Sequence, residues 1–180
     1  MRKLLLMLVL ATTAFSQPAR VRPIAPNANG AEMAVKQAMD AVAQQKKIVE
    51  RDLEVLTHLR SADVAMTDPM QPENAMQKAW EEVDKAKSLN PEFTVMQGII
   101  KMQRELESAR HSAMTADFGR LRAILREQAL GPASRVIGRH ALRLQEETLA
   151  WLRVQELISA HVRSLAEITG ESLRATTTPE

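Results

Sequence analysis

Four histidines, His58, His111, His140 and His161, are the side chains best suited to proton transfer or metal binding in this sequence. None has a second histidine three or four residues away, so no helical pair of the kind that holds zinc is present. His140 and His161 are separated by roughly 31 Å along a helix, too far to share one ion, and both flank an apolar stripe as boundary residues. Two carboxylate doublets, Glu81 with Glu82 and Glu146 with Glu147, have no common target, because adjacent helical side chains point about 100° apart. The chain has no cysteine. Thiol nucleophiles, thioether-linked haem, cysteine-ligated zinc and disulfides are therefore outside its repertoire. No glycine-rich phosphate loop, nucleophile elbow or Ser/His/Asp arrangement occurs. The expectation is a protein without catalytic, cofactor-binding or metal-ligating residues, and not an enzyme.

The elements around these residues begin with "MRKLLLMLVLATTAFSQPA". Arg2 and Lys3 precede an apolar run from Leu4 to Leu10, and Ala14 and Ser16 are small residues suited to a cleavage site. This is the pattern of a secretory signal peptide over residues 1–16, and the apolar run is shorter than the roughly 20 residues a bilayer requires. The expected product is exported to the periplasm or the exterior and does not span a membrane. The sequence carries 24 Lys+Arg and 22 Asp+Glu, and loss of Arg2 and Lys3 would bring the two totals level at 22. A chain so balanced is a poor phosphate neutraliser, so no nucleic-acid partner is expected. Aromatic platforms are scarce as well: beyond the signal there are only Trp80, Phe93, Phe118 and Trp151. That weighs against sugar clefts and single-strand binding.

Residues 17–30, "QPARVRPIAPNANG", read as a flexible, Pro-rich leader, whose Arg20 and Arg22 could meet an acidic surface. Asn29 and Glu32 have the spacing of a capping box. From there to about Met66 apolar residues recur at helical spacing, with Val35, Val42, Val49 and Leu56 seven apart. Gln45, Lys46 and Asp52 interrupt the middle of that stripe, where a gap or groove is expected. Two prolines in "TDPMQPEN" end this helix and start a second, which carries Met76, Ala79, Trp80, Val83 and Ala86 on one face. Asn90 is placed as a cap and Pro91 at the first position of a third helix, which buries Met96, Ile99, Ile100, Leu106 and Ala109. Thr115 opens a short fourth helix with Phe118, Leu121, Ile124 and Leu125 inward. Gly131–Pro132 is expected to break or bend the chain. The last helix runs from about Ala133 to Thr169, with Gly170 as its C-cap. Its stripe is Ile137, Leu144, Trp151, Ile158 and Leu165, widened by Val154, Val162 and Ile168, with Trp151 as the largest buried anchor. No segment alternates with period two.

The fold class predicted is all-α: an elongated helical bundle in which two long helices, first and last, pack with two or three shorter middle ones. Residues 31–170 form the single bundle domain and 171–180 a disordered tail. The core or interaction stripe comprises Val35, Val42, Val49, Leu56, Ile137, Leu144, Trp151, Ile158 and Leu165. Charge is uneven along it: acids dominate from Glu50 to Glu92, and bases from Lys101 to Arg143. The two segments could attract each other inside the bundle, form opposite poles, or be ordinary solvated faces.

The signal-like start, the cysteine-free helical body and the last segment "ALRLQEETLAWLRVQELISAH" resemble, in outline, the minor pilus components of bacterial conjugation and type IV secretion systems. The resemblance covers organisation over the mature chain and rests on no discrete motif, so it implies an assembly role and transfers no residue. Glu171–Ser172 in "ITGESL" resembles the Glu-Ser dipeptide of soluble lytic transglycosylases, whose glutamate is a general acid. Only nine residues follow Glu171 here, too few for the sugar cleft of that fold, so no such activity is expected. The expected role is an exported, non-catalytic interaction or assembly component, with an unknown protein partner or self-association. The alternative is a periplasmic chaperone or stress-response helical protein. The eight methionines past the signal suit adaptable surfaces and irregular cores alike. Five apolar residues at seven-residue spacing in the last helix also meet the length criterion for a coiled coil. The broad flanking set suits a bundle core better, so a monomer or weak dimer is expected.

Overall fold

The computed structural model describes the backbone of residues 28–67, 72–112 and 117–176, and the side chains of 30–67, 74–112 and 117–170. The signal peptide expected at 1–16 and the leader up to residue 27 lie outside the described residues, as do Thr115 and residues 177–180. The chain divides into two units, Met1–Ala34 and Val35–Glu180. Of the first, the start of one helix is described.

Among the described residues every regular element is helical: α1 (Ala28–Ala65), α2 (Pro72–Ser88), α3 (Phe93–His111), α4 (Phe118–Leu125), a π-helical segment (Arg126–Leu130) and α5 (Gly131–Thr176). The protein is an all-α bundle. Its two long elements are α1 and the continuous α4–π–α5 run, and α2 and α3 are the shorter middle ones. No helix among the described residues is long and apolar enough to cross a membrane.

The helix boundaries follow local chemistry. Pro72 opens α2, where its missing N–H costs nothing. Asn90, expected as a cap of α3, instead takes φ 50° and closes the turn after α2, its N–H bonding to the Lys87 carbonyl at 3.0 Å. Asparagine tolerates that left-handed conformation better than most residues. The residue before α3 is Glu92, and its side chain makes no capping bond. Asp117 caps α4 by accepting the Arg120 N–H at 3.0 Å.

Two expectations for the last helix need correction. Gly131–Pro132 does not break the chain into two helices, because helix runs unbroken from Phe118 through Thr176. Pro132 has no N–H to offer the Gln128 carbonyl four residues back. The turn before it widens into a π segment, in which the Gly131 N–H reaches the Arg126 carbonyl five residues back. Gly170 is likewise not a C-cap, since α5 continues six residues past it to Thr176. A lone glycine inside a helix costs about 1 kcal/mol, which a long helix tolerates.

The core gathers around the C-terminal half of α1. Val55, Leu56, Leu59, Ala62 and Met66 are buried there. They meet Ala79, Val83 and Ala86 of α2, Val95, Ile99, Met102 and Leu106 of α3, and Leu121, Leu125, Ala129, Ala133 and Val136 of the long run. Fully burying a Leu, Ile or Met side chain contributes roughly 1.5–3 kcal/mol. Gly98 lets α3 approach closest: a Cβ built there would lie 1.7 Å from the Gln128 carbonyl oxygen. The two helical backbones are therefore in direct contact at the π segment.

Candidate functional site

Three polar clusters tie α1 to other parts of the bundle. The most buried one centres on Asp52, only 3% exposed although it is charged. Arg51 donates to Asp52 Oδ1 through Nε at 3.1 Å and Nη2 at 2.8 Å. The second oxygen, Oδ2, accepts a hydrogen bond from His140 Nδ1 on α5. Both carboxylate oxygens are thus satisfied, which is the condition for burying such a group. His140 Nε2 faces Glu92 Oε2 at 3.7 Å, and Arg139 Nη2 donates to Glu92 Oε1 at 3.0 Å. Glu92 leaves the α3 terminus uncapped because its side chain is drawn to these two groups.

The second cluster lies between α1 and α2. His58 Nδ1 sits 2.8 Å from Glu82 Oε2, and Lys85 Nζ donates to Glu82 Oε1 at 2.5 Å. The Lys85 ammonium and the His58 imidazole together hold the Glu82 carboxyl below its ordinary value. In the third, Asp63 of α1 accepts from two guanidiniums. Arg122 reaches Oδ1 at 2.7 Å and Oδ2 at 3.1 Å, and Arg126 reaches them both at 3.0 Å. Burial pushes the Asp63 carboxyl up, but the two guanidiniums outweigh it and leave the group below its ordinary value. Such fork-to-carboxylate geometry is the strongest form of an ion pair.

These pairs fix chain direction. Asp63, near the end of α1, meets Arg122 and Arg126, whereas Asp52, three turns earlier, meets His140 further along. Over this region α1 and the α4–α5 run are antiparallel. The acid-rich and base-rich segments of the sequence do attract each other, through Asp63–Arg122, Asp63–Arg126 and Glu92–Arg139.

A histidine oriented by a buried aspartate has the form of a base-orienting pair. Here the outward nitrogen, Nε2, is turned to a second carboxylate. The arrangement is that of a bolt joining α1, α5 and the turn before α3. Among the described residues no group of three or more His, Asp or Glu is placed to hold a metal ion. His111 Nδ1 bonds its own helix at the Glu107 carbonyl, and His161 is exposed.

The stripe residues are distributed more widely than a core. Of the nine, Leu56 is buried; Val35, Val42, Val49, Ile137, Leu144, Trp151 and Ile158 are half-buried; and Leu165 is exposed. Trp151 is not a fully buried anchor, although its indole N–H is shielded and has no hydrogen-bond partner among the described residues. Gln45 and Asp52, which interrupt the α1 stripe, are both buried, Asp52 in its network and Gln45 with an Oε1 that has no hydrogen-bond partner among the described residues. His140, expected as a boundary residue of the α5 stripe, is instead a cross-helix partner of Asp52, which sequence spacing does not reveal because the two lie 88 residues apart. The available signal was Asp52 itself, which falls on the α1 stripe between Val49 and Leu56. No protein-family model matches the chain, and no curated protein or solved structure matches it at a significant level.

Proposed function

We propose that this chain is an exported helical protein that acts as a non-catalytic interaction or assembly component. The observation that carries the reading is the fate of the α5 stripe. Through Ile158 its members are half-buried, but Val162, Leu165 and Ile168 on the same side are 58%, 42% and 61% exposed. Apolar residues presented along one helix in this way suit a partner helix or groove. The polar clusters support the reading from the other side, because each joins two helices of the bundle. The signal-like first 16 residues support export.

The test is site-specific photo-crosslinking in the cell of origin. A photoreactive residue at Leu165 should capture a discrete exported protein, and one at Glu167, also exposed, should capture much less. Equal, diffuse labelling at both positions would overturn the interaction role. Mass spectrometry of the native protein should find its N-terminus near Gln17, and an intact start at Met1 in a cytoplasmic fraction would overturn export.

A further inference from the structure

We propose that α5 pairs antiparallel with α5 of a second copy, about a two-fold axis passing between Leu149 and Ala150. The surface concerned is the side of α5 turned away from the half-buried stripe. Leu142 and Leu149 each precede a stripe residue, Leu144 and Trp151, by two positions, which places them about 200° round the helix. Leu142, Leu149 and Leu157 are 62%, 47% and 71% exposed. Glu146, Ala150 and Arg153 are exposed beside them. These six residues make one continuous helical face about 100° wide.

The order of residue types along that face reads the same way from either end once charge is inverted. A two-fold axis between 149 and 150 sets Leu142 against the second copy's Leu157, and Glu146 against its Arg153. Leu149 then stands level with the second copy's Ala150, and Ala150 with its Leu149, on either side of the axis. Each chain contributes one acid and one base to the two central layers, so both copies of the pair are complementary at once, as an isologous contact requires. Within one chain Glu146 and Arg153 are seven residues, about 10.5 Å, apart and cannot reach each other as an i,i+4 pair does. Neither side chain has an ion pair among the described residues, whereas neighbouring Arg143 has one with Glu147. A parallel pairing would set Glu146 against Glu146 and Arg153 against Arg153, which like-charge repulsion disfavours. The contact spans four helical turns and is smaller than the ~1,200–2,000 Å² of a stable interface, so the dimer is a weak one. It deepens the interaction role by naming one partner, and it uses a different face of α5 from Leu165.

The absence of cysteine makes a direct test available on the purified full chain. Leu149→Cys, beside the axis, should give a disulfide-linked dimer under mild oxidation. Leu142→Cys alone should not, but Leu142→Cys combined with Leu157→Cys should. In sedimentation equilibrium Arg153→Glu should weaken dimerisation at least about tenfold, by setting acid against acid. The double exchange Glu146→Arg with Arg153→Glu should restore it. Equal cross-linking from Leu142→Cys and Leu149→Cys, a double exchange that fails to restore the dimer, or a chain still monomeric at several hundred micromolar would each overturn the proposal. Because purified protein is used alone, these outcomes are independent of the in-cell capture at Leu165.

Discussion

The carbonyl oxygen of Gln128 lies where the Cβ of any residue other than glycine at position 98 would have to be, at 1.7 Å. Pro132 takes away the N–H that would normally engage that carbonyl. The π segment and Gly98 therefore form one feature: an opened helical turn on one side, and a side chain reduced to hydrogen on the other. Gly98→Ala must push α3 away from the π segment, because the obstruction is backbone on both sides. It should cost about 3 kcal/mol or more, read as a lower urea midpoint. Gly138→Ala is the matched control. It is also helical, and a Cβ there meets nothing within 4 Å. It should stabilise the protein by about 0.5–1 kcal/mol.

Asp63 makes stability depend on acid. Its carboxyl is held below the ordinary value by Arg122 and Arg126 against the opposing effect of burial. A group whose folded-state value is depressed contributes stability above its unfolded value, about pH 3.9, and loses it as pH falls through the folded value. Asp63→Asn should therefore destabilise the protein at neutral pH by about 1–2 kcal/mol, discounted for the partial exposure of Arg126. The difference from the native chain should shrink steadily below about pH 4. Paired thermal melts at pH 7 and at pH 3 measure it, and an equal difference at both would show that the two guanidiniums leave the carboxyl unperturbed.

Asp52 and His140 should behave as a coupled pair. Removing His140 leaves Asp52 buried with Arg51 as its remaining side-chain partner, so His140→Ala should cost about 3 kcal/mol. Asp52→Ala removes the charge that needs company and should make a subsequent His140→Ala far cheaper. A double-mutant cycle should return a coupling of about 1–3 kcal/mol. Additive losses would mean that the two residues act independently.

These pairs also show what could be read from sequence. Helical spacing alone was enough to specify an all-α chain with long first and last helices, because that spacing is a local property. The depth of each residue was not local. Val35, Val42, Val49 and Leu56 look alike in the pattern, yet only Leu56 is buried, because α2 and α3 surround α1 only along its C-terminal half. The polar clusters were hidden for a related reason. Asp52 reads as an interruption until His140, on another helix, is brought beside it. Pro132 reads as a breaker because proline rules describe the α-helix and are silent about a π turn that absorbs the missing donor.

Gln45 offers the last test, and its sign is opposite to that of the aspartate pair. It is buried at 7% exposure on the α1 stripe, and its Oε1 has no hydrogen-bond partner among the described residues. A buried acceptor left unmade costs about 1–3 kcal/mol, whereas an apolar side chain of similar size in its place bears no such penalty. Gln45→Leu should therefore raise stability, by up to about 1 kcal/mol, in chemical denaturation with an unchanged m-value. Gln45→Ala removes the same oxygen but leaves a small void, so it should fall between the native chain and Gln45→Leu. Should Gln45→Leu prove clearly destabilising, the amide must be engaged in solution, and its surroundings must be wetter and more polar than the apolar stripe implies.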